Sequence, residues 1–284
     1  KDAGGCNAVL PVAQRISQAG YQLLSLAEGP AIGLLERALL PAKEFGQLDG
    51  LSSLFDDFRP CLALVANSWG PSVEDQVVME CRIRGIPSVG LLDSWVLCTE
   101  KFGNSHNRWE YLPDYLVIAD HQVQEEMLQA GAPKNRLVIL GQPHFDSIDA
   151  RNQSAPASTL DAVRKDLGVT RGQSLVILLS QAMDEFYGRL EAHRRLGYSE
   201  FDVLDDVRAA VDTLQATGLP LKLIVKLHPR EQTDKYSDTG LICLRDISPH
   251  LIVRAADLVI GMDTMLLLEA ALMGSICLSY QPNL

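Results

Sequence analysis

The sequence lacks the features that would assign it to three common classes of protein. Its apolar runs, such as Leu175–Leu179 and Met265–Leu268, are far shorter than the ~20 residues that a membrane-spanning helix needs. It has no basic excess, because 36 acidic residues against 25 basic ones give a net charge of −11, which argues against a general nucleic-acid binder. Its six cysteines include no C-x-x-C pair, so we interpret them as small core residues rather than disulfides or zinc ligands.

What the sequence does contain is a regular alternation of strand and helix patterns. The 284 residues are 47% hydrophobic and 21% charged, which is typical of a globular chain with about two domains. Short β-branched runs such as Ser88–Leu92 and Tyr115–Ala119 alternate with helical periods such as Val73–Arg84. Fully apolar runs of this kind are typical of parallel strands that are covered on both faces. The pattern predicts doubly wound α/β domains.

The alternation breaks once, and we expect the domain boundary there. A polar stretch follows Gly141 and ends near Ser158, after which helix and strand patterns resume. We therefore predict an N-terminal domain over residues 1–145, a linker over 146–158 and a C-terminal domain over 159–284. The chain opens on a Gly-Gly turn with no strand before it and stops just after a predicted strand. We expect an α/β sheet that is incomplete at each end.

In the N-terminal half, candidate site residues follow the predicted strands, where ligands bind in open α/β sheets. Gly4 and Gly5 precede a predicted helix over Ala8–Gln18, so they can bring a helix N-terminus close to an anion or can form an ordinary turn. Asp93 ends the strand Ser88–Leu92 and can act as a general base or as a helix cap.

In the C-terminal half, the turns after two strands carry hydrogen-bonding groups. Ser180 and Gln181 follow Leu175–Leu179 and can bind a phosphate or a sugar hydroxyl, or cap the next segment. His228, Arg230 and Glu231 follow the strand Leu221–Leu227. An imidazole at a strand end, a rigid Pro and then an Arg favour a diphosphate site over a histidine satisfied within the core.

The last candidate turn leads into a helix. Asp263 and Thr264 stand at its start, where backbone N–H groups can hold phosphate oxygens. Glu269 lies further along among apolar neighbours, where an uncompensated carboxylate is costly. A ligand with two vicinal hydroxyls, such as a ribose, would satisfy both of its oxygens; the alternative is a Glu on a solvent face.

These segments resemble a known superfamily. Asp263–Tyr280 resembles the nucleotide-binding segment of GT-B glycosyltransferases, closest to the lipid-A-disaccharide synthase type. The Lys226-Leu-His-Pro229 step resembles that of glycerophosphotransferases and capsule sugar transferases, and His228-Pro-Arg-Glu231 resembles a stretch of UDP-GlcNAc 2-epimerases. The resemblance implies two Rossmann-like domains facing each other across a cleft.

Two departures favour the transferase over the epimerase within this resemblance. The epimerases' Gly-Asp-Thr-Thr turn is replaced by Ala66-Asn-Ser, and their adjacent Glu pair is reduced to the single Glu269. The sequence also has no D-x-D motif, so we expect neither a metal nor another cofactor.

The resemblance implies a glycosyltransferase that moves a sugar from a nucleotide-diphosphate donor to a cell-surface polysaccharide or glycolipid. Asp93 and His228 would be catalytic. The donor would bind Gly4, Gly5, Ser180, Gln181, His228, Arg230, Glu231, Asp263, Thr264 and Glu269. The alternatives are a UDP-GlcNAc 2-epimerase or nucleotide-sugar hydrolase, and a non-catalytic nucleotide-binding protein. We expect a cytoplasmic protein with at most peripheral contact with the inner face of the membrane.

Overall fold

The computed structural model describes residues 1–40, 42–47, 50–68, 70–152 and 156–282. The chain divides into two compact units, Lys1–Ser147 and Ile148–Leu284. Within the described residues, no helix combines the length and the apolar character that crossing a membrane requires.

The first unit alternates helices and strands, and its strands are all short. In chain order its elements are α1 (Ala3–Gln18), β1 (Ser25–Ala27), α2 (Pro30–Arg37), β2 (Ala42–Glu44), α3 (Leu51–Phe58), β3 (Ala63–Val65), α4 (Val73–Arg84), β4 (Ser88–Leu91), β5 (Tyr115–Ile118), α5 (His121–Gln129), β6 (Leu137–Ile139) and α6 (Pro143–Asn152), which runs on into the second unit. Strands β3 to β6 form a parallel sheet in the order β3-β4-β5-β6, and β1 and β2 form a separate parallel pair.

Local sequence explains why these elements begin and end where they do. Helix α4 starts at a capping box, in which Ser72 and Asp75 satisfy each other's backbone N–H groups, and it ends at Gly85 in the left-handed conformation. In β5, the alternate residues Leu116 and Ile118 are completely buried. The strand thus anchors the middle of the sheet in the core.

The second unit contains a single five-stranded parallel sheet. Its elements are α7 (Ala157–Asp166), β7 (Ser174–Leu179), α8 (Met183–Tyr187), α9 (Arg189–Leu196), α10 (Glu200–Ala216), β8 (Leu221–Lys226), β9 (Ile242–Leu244), α11 (Pro249–Ala255), β10 (Leu258–Gly261), α12 (Met265–Leu272) and β11 (Cys277–Ser279). The strand order is β11-β10-β7-β8-β9. The first strand, β7, is therefore central and pairs with both β8 and β10. The chain order reverses between β7 and β10, which is the switch point of a doubly wound sheet.

The predicted α/β class with parallel sheets and two units is confirmed. Two details differ in the first unit. Its described strands form two sheets instead of one doubly wound sheet. Helix α1 begins at Ala3, so Gly4 and Gly5 lie inside it and not in a turn before it.

The unit boundary falls within the segment predicted as a linker. That segment, 146–158, contains the end of α6 and the start of α7. Its residues 153–155 lie outside the described residues.

Candidate functional site

The switch point of the second unit places two polar turns beside each other. Gln181, which follows β7, donates from Nε2 to Oδ1 of Asp263, which follows β10, over 2.6 Å. Thr264 occupies the N-cap position of α12, and its side chain makes no capping hydrogen bond. The first backbone N–H groups of α12 thus stand beside these two polar turns, at the edge where doubly wound sheets bind ligands.

The turn after β8 carries a cluster of one imidazole, one guanidinium and one aromatic ring. The backbone N–H of Arg230 donates to Nδ1 of His228 over 3.2 Å. The neutral imidazole therefore carries its proton on Nε2. Phe186 of α8 lies edge-on to the His228 ring at 6.0 Å, and the Arg230 guanidinium lies over the face of Phe186 at 4.8 Å. The cluster offers an N–H donor and a cation, which suit an anionic ligand.

Beneath this cluster lies a buried network. Ser180 donates to Oε1 of Glu231 over 2.6 Å, and its oxygen lies 2.7 Å from the Tyr236 hydroxyl. Oε2 of Glu231 accepts the backbone N–H of His228, so the network fixes the turn that carries the imidazole. Lys235 Nζ contacts Glu231, Glu200 and Glu185.

Burial and hydrogen bonding act in opposite directions on the pKa values of this network. It raises the pKa of Glu231, against the opposing effect of the Ser180 and Lys235 hydrogen bonds. Burial would lower the pKa of Lys235, but its bonds to Glu185, Glu200 and Glu231 outweigh that effect and place the pKa above its usual value. Lys235 therefore remains charged. The three carboxylates are close enough together to hold a metal ion, but the Lys235 ammonium contacts all three.

The network changes the role that we assign to two predicted donor-binding residues. Ser180 is 6% exposed and Glu231 is fully buried, and the oxygens of both are used within the network. Both side chains lie under the turns and hold them in place. Gln181, His228, Arg230, Asp263 and Thr264 stay at the surface of the second unit.

Glu269 lies on α12 and is buried, not on a solvent face. Its Oε2 is 2.6 Å from Nε2 of His250, on α11. The carboxylate thus has an imidazole partner that sequence reasoning did not identify, because the two residues are on different helices.

In the first unit, Asp93 is held at the carboxyl edge of the sheet. Its Oδ1 accepts from Asn67 Nδ2 over 2.8 Å and from Lys101 Nζ over 2.6 Å. Its backbone N–H donates to the Asn67 side chain, and Gln142 Nε2 donates to its carbonyl oxygen. Within the described residues, Oδ2 accepts no hydrogen bond. Asp93 is thus an oriented carboxylate with one oxygen available.

Gly4 and Gly5 bring α1 against this edge. A Cβ on Gly4 would lie 2.6 Å from Asp93 Oδ2, and a Cβ on Gly5 would overlap the Asn67 carbonyl oxygen. The two glycines lie within the first turns of α1, where they allow the helix to approach Asp93 and Asn67; their predicted place beside an anionic ligand stays a prediction. Neither Asn67 nor Lys101 was identified from the sequence. Asn67 reaches Asp93 from the turn after β3, and Lys101 folds back onto it from further along the β4–β5 connection.

Comparisons with known proteins identify the fold. No protein-family model and no curated protein matches the sequence. Anabaena HepE, solved with UDP and glucose, superposes with a TM-score of 0.64 at 16% identity, over 98% of this chain and 77% of that one. The UDP-GlcNAc 2-epimerase of Neisseria meningitidis, bound to UDP-GlcNAc, gives 0.59 at 10% identity, over 97% and 79%. A glycosyltransferase from Rickettsia africae gives 0.61 at 10% identity, over 98% and 76%.

The predicted resemblance is confirmed at the level of the fold. The chain shares the fold of UDP-GlcNAc 2-epimerases and a glycosyltransferase.

Proposed function

We propose that the protein is a glycosyltransferase that uses a UDP-type sugar donor and a carbohydrate or lipid-linked acceptor, without a metal ion. The observation that carries this proposal is the pair of polar turns at the switch point of the second unit, where Gln181 and Asp263 are hydrogen-bonded beside the N-terminus of α12. The shared fold supports the choice of ligand, since HepE was solved with UDP and glucose.

The second unit supplies groups suited to each part of the donor. His228 Nε2–H and the Arg230 guanidinium would bind the diphosphate and stabilise the charge on the departing UDP. The backbone N–H groups after Thr264 would add to this charge stabilisation. Asp263 and Gln181 would accept and donate hydrogen bonds to sugar hydroxyls, and Glu269 would accept from the ribose.

The first unit supplies the base. Asp93 Oδ2 would accept the proton of the acceptor hydroxyl while that oxygen attacks the anomeric carbon. The bond between the anomeric carbon and the diphosphate oxygen breaks, and UDP leaves. Asn67 and Lys101 hold the other carboxylate oxygen and fix its direction.

A second candidate is a UDP-GlcNAc 2-epimerase or hydrolase, in which Asp93 and His228 transfer protons on the donor sugar itself. Structures of UDP-GlcNAc 2-epimerases from several organisms share this fold, and this observation supports retaining the epimerase as a second candidate. The third interpretation, a non-catalytic nucleotide-binding protein, has no observation that favours it over these two.

The test is incubation of the full chain with UDP-GlcNAc, with and without an acceptor mixture of oligosaccharides and glycolipids, followed by chromatography of UDP and sugars. We expect UDP release only when an acceptor is present. Turnover of the donor alone would establish the second candidate. Nucleotide binding without any consumption would contradict both.

A thermal-shift panel of UDP-, GDP-, CDP- and CMP-sugars identifies the nucleotide. A ligand at a hundred times its Kd stabilises the folded state by about 2.7 kcal/mol, which such a panel detects. The acceptor and a cytoplasmic location stay predictions.

A further inference from the structure

One aromatic ring of the second unit contacts both side chains to which the proposed donor site assigns the diphosphate. The face of Phe186 lies 4.8 Å from the Arg230 guanidinium, and the His228 ring lies edge-on to it at 6.0 Å. Phe186 belongs to α8, whereas the other two residues belong to the turn after β8. The ring is 36% exposed, so its contacts with these side chains are made at the surface of the unit and not in its core.

The contact with the ring restricts an arginine that is otherwise mobile by nature. Arg230 is exposed. A long exposed side chain loses rotamer freedom when a ligand immobilises it, and this loss weakens binding. A guanidinium that already lies over an aromatic face is attracted to the ring and samples fewer positions. The Phe186 ring therefore reduces the cost of ordering Arg230 against an anion.

The same ring helps to orient the imidazole of the turn. The planes of the Phe186 and His228 rings meet at 67°, an edge-to-face arrangement that aromatic pairs favour. The backbone N–H of Arg230 fixes the imidazole at Nδ1. Both contacts exist without any ligand, so the turn is arranged before a ligand binds.

Helix α8 can hold the ring in place because the helix itself is fixed to the buried network. Its Glu185 accepts a hydrogen bond from Lys235 Nζ over 2.7 Å. The backbone N–H of Asp184 donates to Glu200 Oε1 over 3.0 Å. At the start of the helix, Met183 is buried in the core of the unit. The network that supports the turn thus also supports the helix that carries the ring.

We propose that Phe186 is a positioning residue that holds Arg230 and His228 in the arrangement that binds the diphosphate of the donor. This role rests on the proposed function, because it concerns the same donor site. A phenyl ring has no hydrogen-bond donor for a phosphate, so Phe186 acts through the two side chains that it contacts. Its removal should therefore affect a diphosphate more than a monophosphate.

The first experiment compares three variants of the full chain. Phe186→Leu removes the ring and keeps an apolar side chain, and Phe186→Tyr keeps the ring. Tyr187→Leu is the matched control, because Tyr187 is the next residue of α8 and its ring lies under the Arg195 guanidinium. Calorimetry gives the Kd of UDP and of UMP for each variant, and circular dichroism checks that each is folded.

We expect Phe186→Leu to weaken UDP binding about 3–10-fold and UMP binding less than about 2-fold. Phe186→Tyr and Tyr187→Leu should bind UDP like the parent chain. Unchanged UDP affinity in Phe186→Leu overturns the role of Phe186, as does an equal loss for UDP and UMP. An equal loss of UDP affinity in Phe186→Tyr or in Tyr187→Leu also overturns it.

A measurement without any ligand separates this role from the proposed function. In isotope-labelled protein, the Nε–H resonance of Arg230, assigned with Arg230→Lys, should be shifted upfield by the ring of Phe186. It should return to the position of free arginine in Phe186→Leu. A parent chain whose resonance already lies at that position overturns the role, whatever its affinity for UDP. An upfield resonance in a parent chain that binds no UDP contradicts the proposed donor site, and overturns the role in donor binding with it.

Discussion

At the scale of single residues, two adjacent glycines in α1 determine how closely the helix approaches the sheet edge. Alanine in a helix is ordinarily more stable than glycine by about 0.5–1 kcal/mol. At Gly5 the neighbour is the Asn67 backbone, which cannot turn aside, whereas at Gly4 it is the Asp93 side chain, which can. Substitution by alanine should therefore destabilise the protein more at Gly5 than at Gly4.

We predict that Gly5→Ala lowers the free energy of unfolding by about 1–3 kcal/mol, because the backbones must separate. Gly4→Ala is expected to destabilise less, because only the Asp93 side chain and its bonds to Asn67 and Lys101 must shift, but it should displace the Asp93 carboxylate and reduce turnover at least ~10-fold. Gly33→Ala in α2 is the control, since its Cβ would meet only the end of Arg37, and it should not destabilise. Urea unfolding and donor turnover provide the measurements. Equal stability of Gly5→Ala and Gly33→Ala would contradict the close approach.

We predict that His228→Asn lowers turnover by about 10–100-fold and also weakens UDP binding, because the ring is held with Nε2–H as its donor. His193→Asn is the matched control, since His193 pairs with Asp202 on the surface of the same unit. Calorimetry with UDP and steady-state rates separate binding from chemistry. A lost rate with unchanged affinity would make His228 a proton-transfer residue.

Sequence reasoning identified the candidate residues that share one turn and missed those that arrive from elsewhere. The Pro between His228 and Arg230 and their place after a buried strand predicted that the two residues share one turn, which the structure shows; anion binding by that turn stays a prediction. His250, Lys101 and Lys235 had no such signal, because a single charged residue on a helix or loop is typical of a solvated surface. Which carboxylates they contact becomes visible only in the folded chain, even where the partner is near in the sequence, as for Lys235 and Glu231.

At the scale of elements, the start of α4 contains a carboxylic acid, Asp75, whose pKa is raised. Asp75 closes the capping box with Ser72, and burial raises its pKa from 3.8 to about 6. The folded state therefore holds this proton at a pH at which the unfolded chain has released it. The associated stability is present below about pH 4 and is lost as the pH rises through about 6.

We predict that Asp75→Asn removes the loss of stability above about pH 6, because the amide oxygen carries no charge and can still accept the Ser72 N–H. The Tm at pH 7.5 should rise by about 2–4 °C, and the two proteins should be alike at pH 4. Asp56→Asn is the control: the pKa of Asp56 is lowered, chiefly by its hydrogen bond to Arg84, so its removal should not stabilise. Parallel pH profiles of Asp75→Asn and the parent chain would contradict the assignment.

We predict that Lys235→Met lowers the free energy of unfolding by about 3–5 kcal/mol, because it leaves the buried Glu231 and Glu200 without their cation. Lys222→Met, which removes an exposed ammonium bonded to the Gly168 carbonyl, should cost less than about 1 kcal/mol. Denaturant unfolding compares the two. A loss for Lys235→Met as small as that for Lys222→Met would show that the network is not held by its charge.

Element prediction succeeded where the pattern was long. Helix Val73–Arg84 was predicted at its observed bounds, because a capping sequence, Ser-Val-Glu-Asp, marks its start and a glycine marks its end. The three-residue strand Ala42–Glu44 and the short helices α8, α9 and α11 were not predicted. Segments of this length are too short to show a hydrophobic periodicity. The polar segment 146–158 was interpreted as a linker, although α6 extends through Asn152 and α7 begins at Ala157.

At the scale of the whole molecule, the α/β class and the two units followed from the alternation of patterns. The division of the first unit into two sheets did not, because strand pairing depends on neighbours that are distant in the sequence. Among the described residues, β1 pairs only with β2 and β3 only with β4, a separation that is visible only once the strand order is known.

We predict that UDP slows hydrogen exchange in the intact chain within the second unit, in peptides covering 179–183, 226–232 and 261–266. These peptides form the turns after β7, β8 and β10, where the donor groups lie. Comparison with UMP, which lacks the second phosphate, tests whether the diphosphate is bound here. UMP should give little of the slowed exchange at 226–232. Protection that leaves these turns unchanged would contradict the assigned donor site.

Evolutionary substitutions should be coupled at the four positions of the buried network, Ser180, Glu231, Lys235 and Tyr236. Glu231 accepts hydrogen bonds from Ser180, Tyr236 and Lys235 in the buried interior, so replacing any of the four by an apolar residue leaves a buried polar atom without its partner. Homologous chains should therefore change these four positions together or retain all of them. Gln181 and Asp263, which are joined by a hydrogen bond at the surface of the second unit, can vary as a pair without disturbing the residues beneath; under the proposed function, such a change would alter which sugar is accepted.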